Sequence, residues 1–219
     1  MKAFWVTGVA FALALVLSAC GGGDKKETPS LDDAALQEMV MITSEGLPWE
    51  ITLLGDAARS NEESASQYLE SEQWLKDYEE WGRTGGHYAE FQVGDSAAPS
   101  LGLQTEVEGY SSADGAGSAW SAVREFILSE EMQSILKDAG ATEATIEEVS
   151  AEKVGEESVA LRMAVGNPGA MGESFVVLSR RGGVLALAVV GGDEGSATVA
   201  DAVAVAKQLD TRIQDILER

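Results

Sequence analysis

The sequence predicts an α+β fold: an antiparallel sheet of about six or seven strands flanked by helices, with the C-terminal helix packed on the sheet. Three patterns predict it. Residues 87–93 and 101–108 alternate apolar and polar side chains, the period of half-buried strands. Arg181-Gly182-Gly183 separates two strand-like runs with a tight-turn composition, so those strands pair antiparallel. Val199, Ala202, Ala206, Leu209, Ile213 and Ile216 recur at steps of three and four, the stripe of a helix lying on a sheet.

The elements follow in order. Residues 31–41 read as a helix, with Asp32 and Asp33 at its positive end and a narrow stripe of Leu36, Met39 and Val40. Gly46 and Pro48 break it, and residues 49–54 read as a short strand. Asn61 is the expected N-cap of a helix reaching about residue 80, restarted near Ser71 and stopped by Gly82. The strand at 87–93 turns His87, Ala89, Phe91 and Val93 one way. The strand at 101–108 does the same with Leu101, Leu103, Thr105 and Val107, and residues 97–100 suit the hairpin between them. A loop at 111–115 opens a helix carrying Trp120, Val123, Phe126 and Ile127, restarted at Ser129 and ended by Gly140.

Four strands are expected next, near residues 144–151, 158–165, 175–180 and 184–190, with residues 166–172 as a mobile loop. The run Val-Leu-Ala-Leu-Ala-Val-Val at 184–190 is apolar on both faces, so it belongs in the middle of the sheet, covered twice. In the final helix Thr198 and Asp201 have the spacing of a capping box. Its alanines permit close approach to Ala186 and Ala188.

The N-terminus reads as a leader. Lys2 precedes an almost wholly apolar stretch, 3–17, shorter than the roughly 20 residues that cross a bilayer. Ser18 and Ala19 are small, and Cys20 is the single cysteine. Leu17-Ser18-Ala19-Cys20 resembles the lipobox of bacterial lipoproteins. That resemblance implies cleavage between Ala19 and Cys20 and acylation of the Cys20 sulfur. A disulfide would need a second cysteine, which the chain lacks. Three glycines and a polar run then form a flexible tether, roughly 17 Å in root-mean-square span for about ten residues. The domain plan is therefore 1–19 signal peptide, 20–30 lipidated cysteine and tether, and 31–219 one α+β domain.

Composition narrows the function. The chain holds 15 basic and 37 acidic residues, a net charge of −22, and losing Lys2 with the leader makes it −23. Such a surface opposes nucleic acid, whose phosphates require clustered Lys and Arg. It accommodates a cationic or apolar ligand more readily than an acidic one. One histidine, His87, excludes multi-histidine metal clusters, and no cofactor is expected. His87 beside a serine would suit a hydrolase, but no Gly-x-Ser-x-Gly elbow accompanies it. The segment Trp81-Gly82-Arg83-Thr84-Gly85-Gly86-His87 closes a helix and opens a strand, the reverse of a phosphate loop. The adjacent acid pairs, such as Glu130-Glu131, diverge around their elements and form wet faces. Aromatic residues at element ends can line a cleft, and Trp81, Arg83 and Tyr110 are the candidate ligand-binding residues.

Three stretches, KVGEESVALRM, SFVVLSRRGGVLALAVVGG and AVAVAKQLDTRIQDIL, resemble a group of bacterial envelope lipoproteins, as do YEEWGRTGGHYAEF and SEGLPWEITLL. The shared pattern is a Val-Gly-Asp/Glu-Glu-Ser strand opening, an Arg-Arg-Gly hairpin and a final helix with an Asp-x-Arg-Ile segment. Similar domains include the extracellular sensor domain of a mycobacterial serine/threonine kinase and PsbP-like lipoproteins; the cysteine pairs of the kinase sensor are missing here. The resemblance implies an antiparallel sheet flanked by helices around a cleft, and ligand or partner binding rather than catalysis.

The expected protein is a lipid-anchored extracytoplasmic lipoprotein on the cell membrane. It binds a small apolar or cationic ligand, or an envelope protein. The alternatives are an envelope structural or assembly factor, or a hydrolase. Two buried acyl chains hold a protein firmly to a bilayer. Cys20→Ser is therefore expected to move the protein from the membrane pellet to the soluble fraction; retention in the pellet would exclude the lipid anchor.

Overall fold

A run with no polar face must be covered from both sides, and the run at 184–190 imposes this on the whole chain. In the computed structural model, which describes residues 31–66, 71–94, 101–138, 140–167 and 170–219, helices lie over both faces of one sheet. The leader, Ala19, Cys20 and the tether lie outside the described residues, as does the expected turn at 97–100. In chain order the elements are α1 (Asp33–Val40), β1 (Ile51–Arg59), α2 (Asn61–Ala65), α3 (Ser71–Trp81), β2 (Arg83–Val93) and β3 (Leu101–Tyr110). Then come α4 (Ala113–Ile127), α5 (Glu130–Asp138), β4 (Glu143–Val149), β5 (Glu157–Asn167), β6 (Ala170–Arg181), β7 (Val184–Asp193) and α6 (Val199–Leu217). Among the described residues no helix is long and apolar enough to cross a membrane.

The seven strands are ordered β1-β2-β3-β7-β6-β5-β4, and every neighbouring pair is antiparallel. Two meanders make this order. The first is β1-β2-β3. Helices α4 and α5 then carry the chain to the far edge, and β4 to β7 return to the middle. β7 takes the central place, and Val184 to Val190 are all buried. Leu185, Leu187 and Val189 face α3, α4 and α5, within a core that includes Trp74, Phe126, Leu161 and Leu178. Val184, Ala186, Ala188 and Val190 face α1 and α6, with Leu36, Ala202, Ala206 and Leu209. The alanines on both sides let α6 lie close to β6 and β7.

Local chemistry sets the helix ends. Asp32 caps α1 by accepting from the Ala35 amide at 2.9 Å. Thr198 and Asp201 form the expected reciprocal capping box of α6. For α2 the expected cap is displaced by one residue. Ser60 accepts from the Glu63 amide, Glu63 accepts from the Ser60 amide, and Asn61 is already helical.

Strands β1, β2, β5 and β6 run further than their side-chain patterns predict. β1 runs on from residue 54 to Arg59 because it pairs with β2 through Arg59↔Gly86. β2 begins at Arg83, so Gly85 and Gly86 belong to the strand. The segment 166–172 is largely ladder rather than loop: Val165 pairs with Gly172, Gly166 with Met171 and Asn167 with Ala170. Glycines carry no side chain to mark a period of two, and cross-strand pairing decides instead.

Gly115, in the first turn of α4, shows how closely α3 and α4 approach. A Cβ there would overlap the Trp81 carbonyl oxygen, whereas one at Gly117 would meet Arg180 Nε at an ordinary 4.0 Å. Gly→Ala in a helix ordinarily gains up to about 1 kcal/mol. Gly117→Ala is expected to raise the urea midpoint on that account. Gly115→Ala is expected to lower it, by about 1–3 kcal/mol of overpacking.

Candidate functional site

The sheet face beneath α3, α4 and α5 changes character at its centre. On β4 to β7 its side chains are chiefly apolar, interrupted by Ser174 and by Glu148, Glu157 and Arg180. Pairing carries the same face onto β3 through Leu185↔Glu108, Leu187↔Glu106 and Val189↔Gln104. It continues onto β2 through Glu106↔Tyr88 and Gln104↔Glu90, and onto β1 through Gly86↔Arg59. Helix α4 packs chiefly on β6 and β7. The β1–β3 half of this face is therefore a floor of Arg59, Tyr88, Glu90, Gln104, Glu106 and Glu108, in which Gln104 is buried and the others are half-buried.

Ion pairs organise this floor. The Arg83 side chain is fully enclosed and donates from every guanidinium nitrogen. Nε reaches Glu108 at 2.9 Å, one Nη reaches Asn61 at 2.7 Å and the other reaches Ser64 at 2.9 Å. Tyr78 lies under the guanidinium, 4.7 Å from ring centroid to Cζ. Burial, the largest single influence, would lower the Arg83 pKa, but Glu108, Tyr78, Tyr110 and Glu106 together outweigh it and leave it raised. The Tyr110 hydroxyl donates to the other Glu108 oxygen at 2.6 Å. Further out, Arg59 meets Glu106 at 3.1 Å and stands 4.0 Å over the Tyr88 ring. Burial raises the Glu106 pKa, and the neighbouring Glu108 adds to this; Arg59 and Arg83 oppose both.

His87 lies on the opposite face, buried beneath α1 at 5% exposure. Its Nε2 is 2.8 Å from Asp56 Oδ2, which also accepts from Gln37 Nε2 at 2.7 Å. The hydrogen bond from His87, then that from Gln37, holds the Asp56 carboxyl below its usual range. Nδ1 of His87 is buried without a partner, and no hydroxyl among the described residues hydrogen-bonds to the ring. Among the described residues no group of three His, Cys, Asp or Glu side chains is placed to hold a metal.

The fold is similar to that of the extracellular domain of PknH from Mycobacterium tuberculosis. The TM-score is 0.54 and the sequence identity 10%, over 86% of this chain and 98% of that one. An uncharacterized protein from Mycobacterium smegmatis, an Rv0999 ortholog, aligns over the same shares with a TM-score of 0.44 and 11% identity. No protein-family model and no curated protein matches the chain. At these identities the likeness to PknH is one of fold.

The three residues proposed from sequence do converge, but inside the protein. Trp81 is 6% exposed and packs edge-on against Trp74 and Tyr78, at centroid distances of 6.2 and 6.3 Å. Arg83 and Tyr110 share Glu108. Their element-end positions mark the seam where α3 meets the sheet, not the lining of an open cleft. Sequence reasoning passed over Arg59, Glu106 and Glu108. The available signal was the concentration of acids on the polar side of residues 101–108, a side read as solvated.

The motif residues meet at one end of the sheet. Glu156 and Glu157 contact Arg180 at 3.0 and 2.8 Å, and Arg181 holds Asp210 of α6 by paired bonds of 2.6 and 2.7 Å. A Cβ on Gly155 would meet the Arg180 carbonyl oxygen at 2.6 Å. These contacts form a clamp between the β6–β7 hairpin, the start of β5 and α6. On the outer side of α6, shallow depressions of about 390 and 470 Å³ flank Ala204 and Lys207.

Glu106 supplies a pH signature. A carboxyl whose folded-state pKa lies above its unfolded value keeps its proton longer in the native state. Stability therefore falls as pH rises through that interval and levels off above it. Glu106→Gln removes this segment. From the ordinary carboxylate range upward, unfolding free energies of the natural protein should decline relative to those of the variant as pH rises, then run parallel to them. Curves parallel throughout would exclude the shift.

Proposed function

We propose that this chain is a lipid-anchored extracytoplasmic binding or sensory domain, of the envelope lipoprotein type its motifs resemble. Cys20 is its point of attachment, and the polar β1–β3 face receives a cationic group of a ligand or partner. The observation that carries the reading is the change of one sheet face from chiefly apolar on β4 to β7 to acidic and half-buried on β2 and β3. Glu90, Glu106 and Glu108 outnumber Arg59 and Arg83, and both arginines are engaged with Glu106 and Glu108. A carboxylate disfavoured by burial gains most from an incoming cation. The net charge of −22 draws cations toward the domain. The likeness of fold to an extracellular domain supports the extracytoplasmic setting. No catalytic step enters the proposal; turnover abolished by His87→Ala would replace it with the hydrolase reading.

A second reading, an envelope assembly factor working through protein contacts, draws on a different surface. Leu53 and Leu54 stay exposed on edge strand β1.

Spermidine serves as the cationic probe. At a concentration 100 times its Kd it should stabilise the fold by about 2.7 kcal/mol, read as a rise in melting temperature. Glu90→Gln with Glu106→Gln is expected to remove most of the rise. Glu130→Gln with Glu131→Gln, an equal charge change on exposed α5, is expected to keep it. Equal loss in both variants would reduce the effect to general screening and sink the site.

A further inference from the structure

The sheet has two edges, and they are built differently. β4 closes one edge with seven residues that include Glu143, Glu147 and Glu148. Helix α5 packs against β4, and Ile146 joins the core below. Charges and a covering helix are the usual protections of an edge against further pairing. β1 closes the other edge with nine residues and holds neither proline nor lysine. Among the described residues no strand pairs with its outer side, and its first amide, that of Ile51, is taken by Ser44 Oγ at 3.0 Å. Leu53 and Leu54 are 39% and 63% exposed, two of the three large apolar side chains left exposed among the described residues. The ladder to β2 slips between Leu53 and Gly55, a bulge that leaves Leu54 without a partner position on β2.

Charge decides which strand fits. Exposed Glu50 leads into β1, Asp56 lies within it, and Glu90 stands on the neighbouring β2. The one base on β1, Arg59, is held by Glu106. A second copy of the chain would bring a further −22 against this edge. We infer that β1 takes an extended, Lys- or Arg-bearing segment of a partner protein as an additional strand. Main-chain hydrogen bonds hold it, alternate basic side chains meet Glu50 and Glu90, and apolar ones cover Leu53 and Leu54. This site adjoins the cation site proposed on the β1–β3 face and shares Glu90 with it, whereas Leu53 and Leu54 belong to the strand site alone.

The test titrates the full chain with an alternating Lys–Val octapeptide, its Glu–Val counterpart and a Lys–Val version N-methylated at alternate residues. The Lys–Val peptide is expected to bind at least about tenfold more tightly than the Glu–Val one, as charge complementarity requires. N-methylation should abolish binding, and amide exchange should slow in residues 51–59. Leu53→Lys with Leu54→Lys should remove peptide binding, keep the melting temperature and keep stabilisation by spermidine. Undiminished binding of the N-methylated peptide, or protection appearing away from β1, would overturn the proposal. A concentration-dependent dimer abolished by the double lysine variant would overturn it in favour of a second copy.

Discussion

The fold depends on covering both faces of β7. A strand apolar on every side chain is stable only where water is excluded above and below, and that requires two helical layers. The chain supplies them from different parts of its length: α1 and α6 on one side, α3, α4 and α5 on the other. Ala186 and Ala188 meet Ala202 and Ala206 on the α6 side, so that layer packs by small residues and close approach. Large side chains fill the other side, where Trp74, Tyr78 and Trp81 cluster near the end of α3. Polar contacts then fix what burial leaves adjustable. Arg181 ties α6 to the β6–β7 turn through Asp210, and the Arg219 side chain ties its end to Glu38 at 2.6 and 2.8 Å.

Beyond β7 the demand for burial relaxes on one face but not on the other. On the α1 side, β2 and β3 still present Ala89, Phe91, Leu103 and Val107 to a core. On the α4 side the same strands present acids, amides and Tyr88. Enclosing Arg83 there is tolerable because Glu108, Asn61 and Ser64 each accept from one of its guanidinium nitrogens. The same arrangement docks the short helix α2, whose Asn61 amide also donates to the Arg83 carbonyl oxygen at 3.1 Å. A face that is apolar in one half and acidic in the other gives a binding protein a recognition surface without loss of its core.

One end of the molecule is closed by charged side chains and glycines. Gly155, Glu156, Glu157, Arg180, Arg181 and Asp210 clamp it. A motif of this kind reports how the domain closes and is silent about what it binds. Gly82 is similar: at φ +71° it takes the left-handed turn from α3 into β2, where a side chain would strike Ser111.

By itself the sequence determined the α+β class, the central place of the 184–190 strand, the meander that contains it and the stripe and cap of α6. Each follows from a short-range period or a capping geometry that a few neighbouring residues specify. Only the tertiary structure decided the extent of β1, the ladder through 166–172 and the start of β2, because cross-strand partners distant in sequence set them. It also decided which polar side chains are half-buried. Glu106 and Glu90 share one pattern in sequence with any wet strand face, and burial depends on which layer ends above them. Trp81, Arg83 and Tyr110 were legible as a group at element ends, but whether such a seam opens as a cleft or closes as a core is fixed by packing between α3, α4 and the sheet.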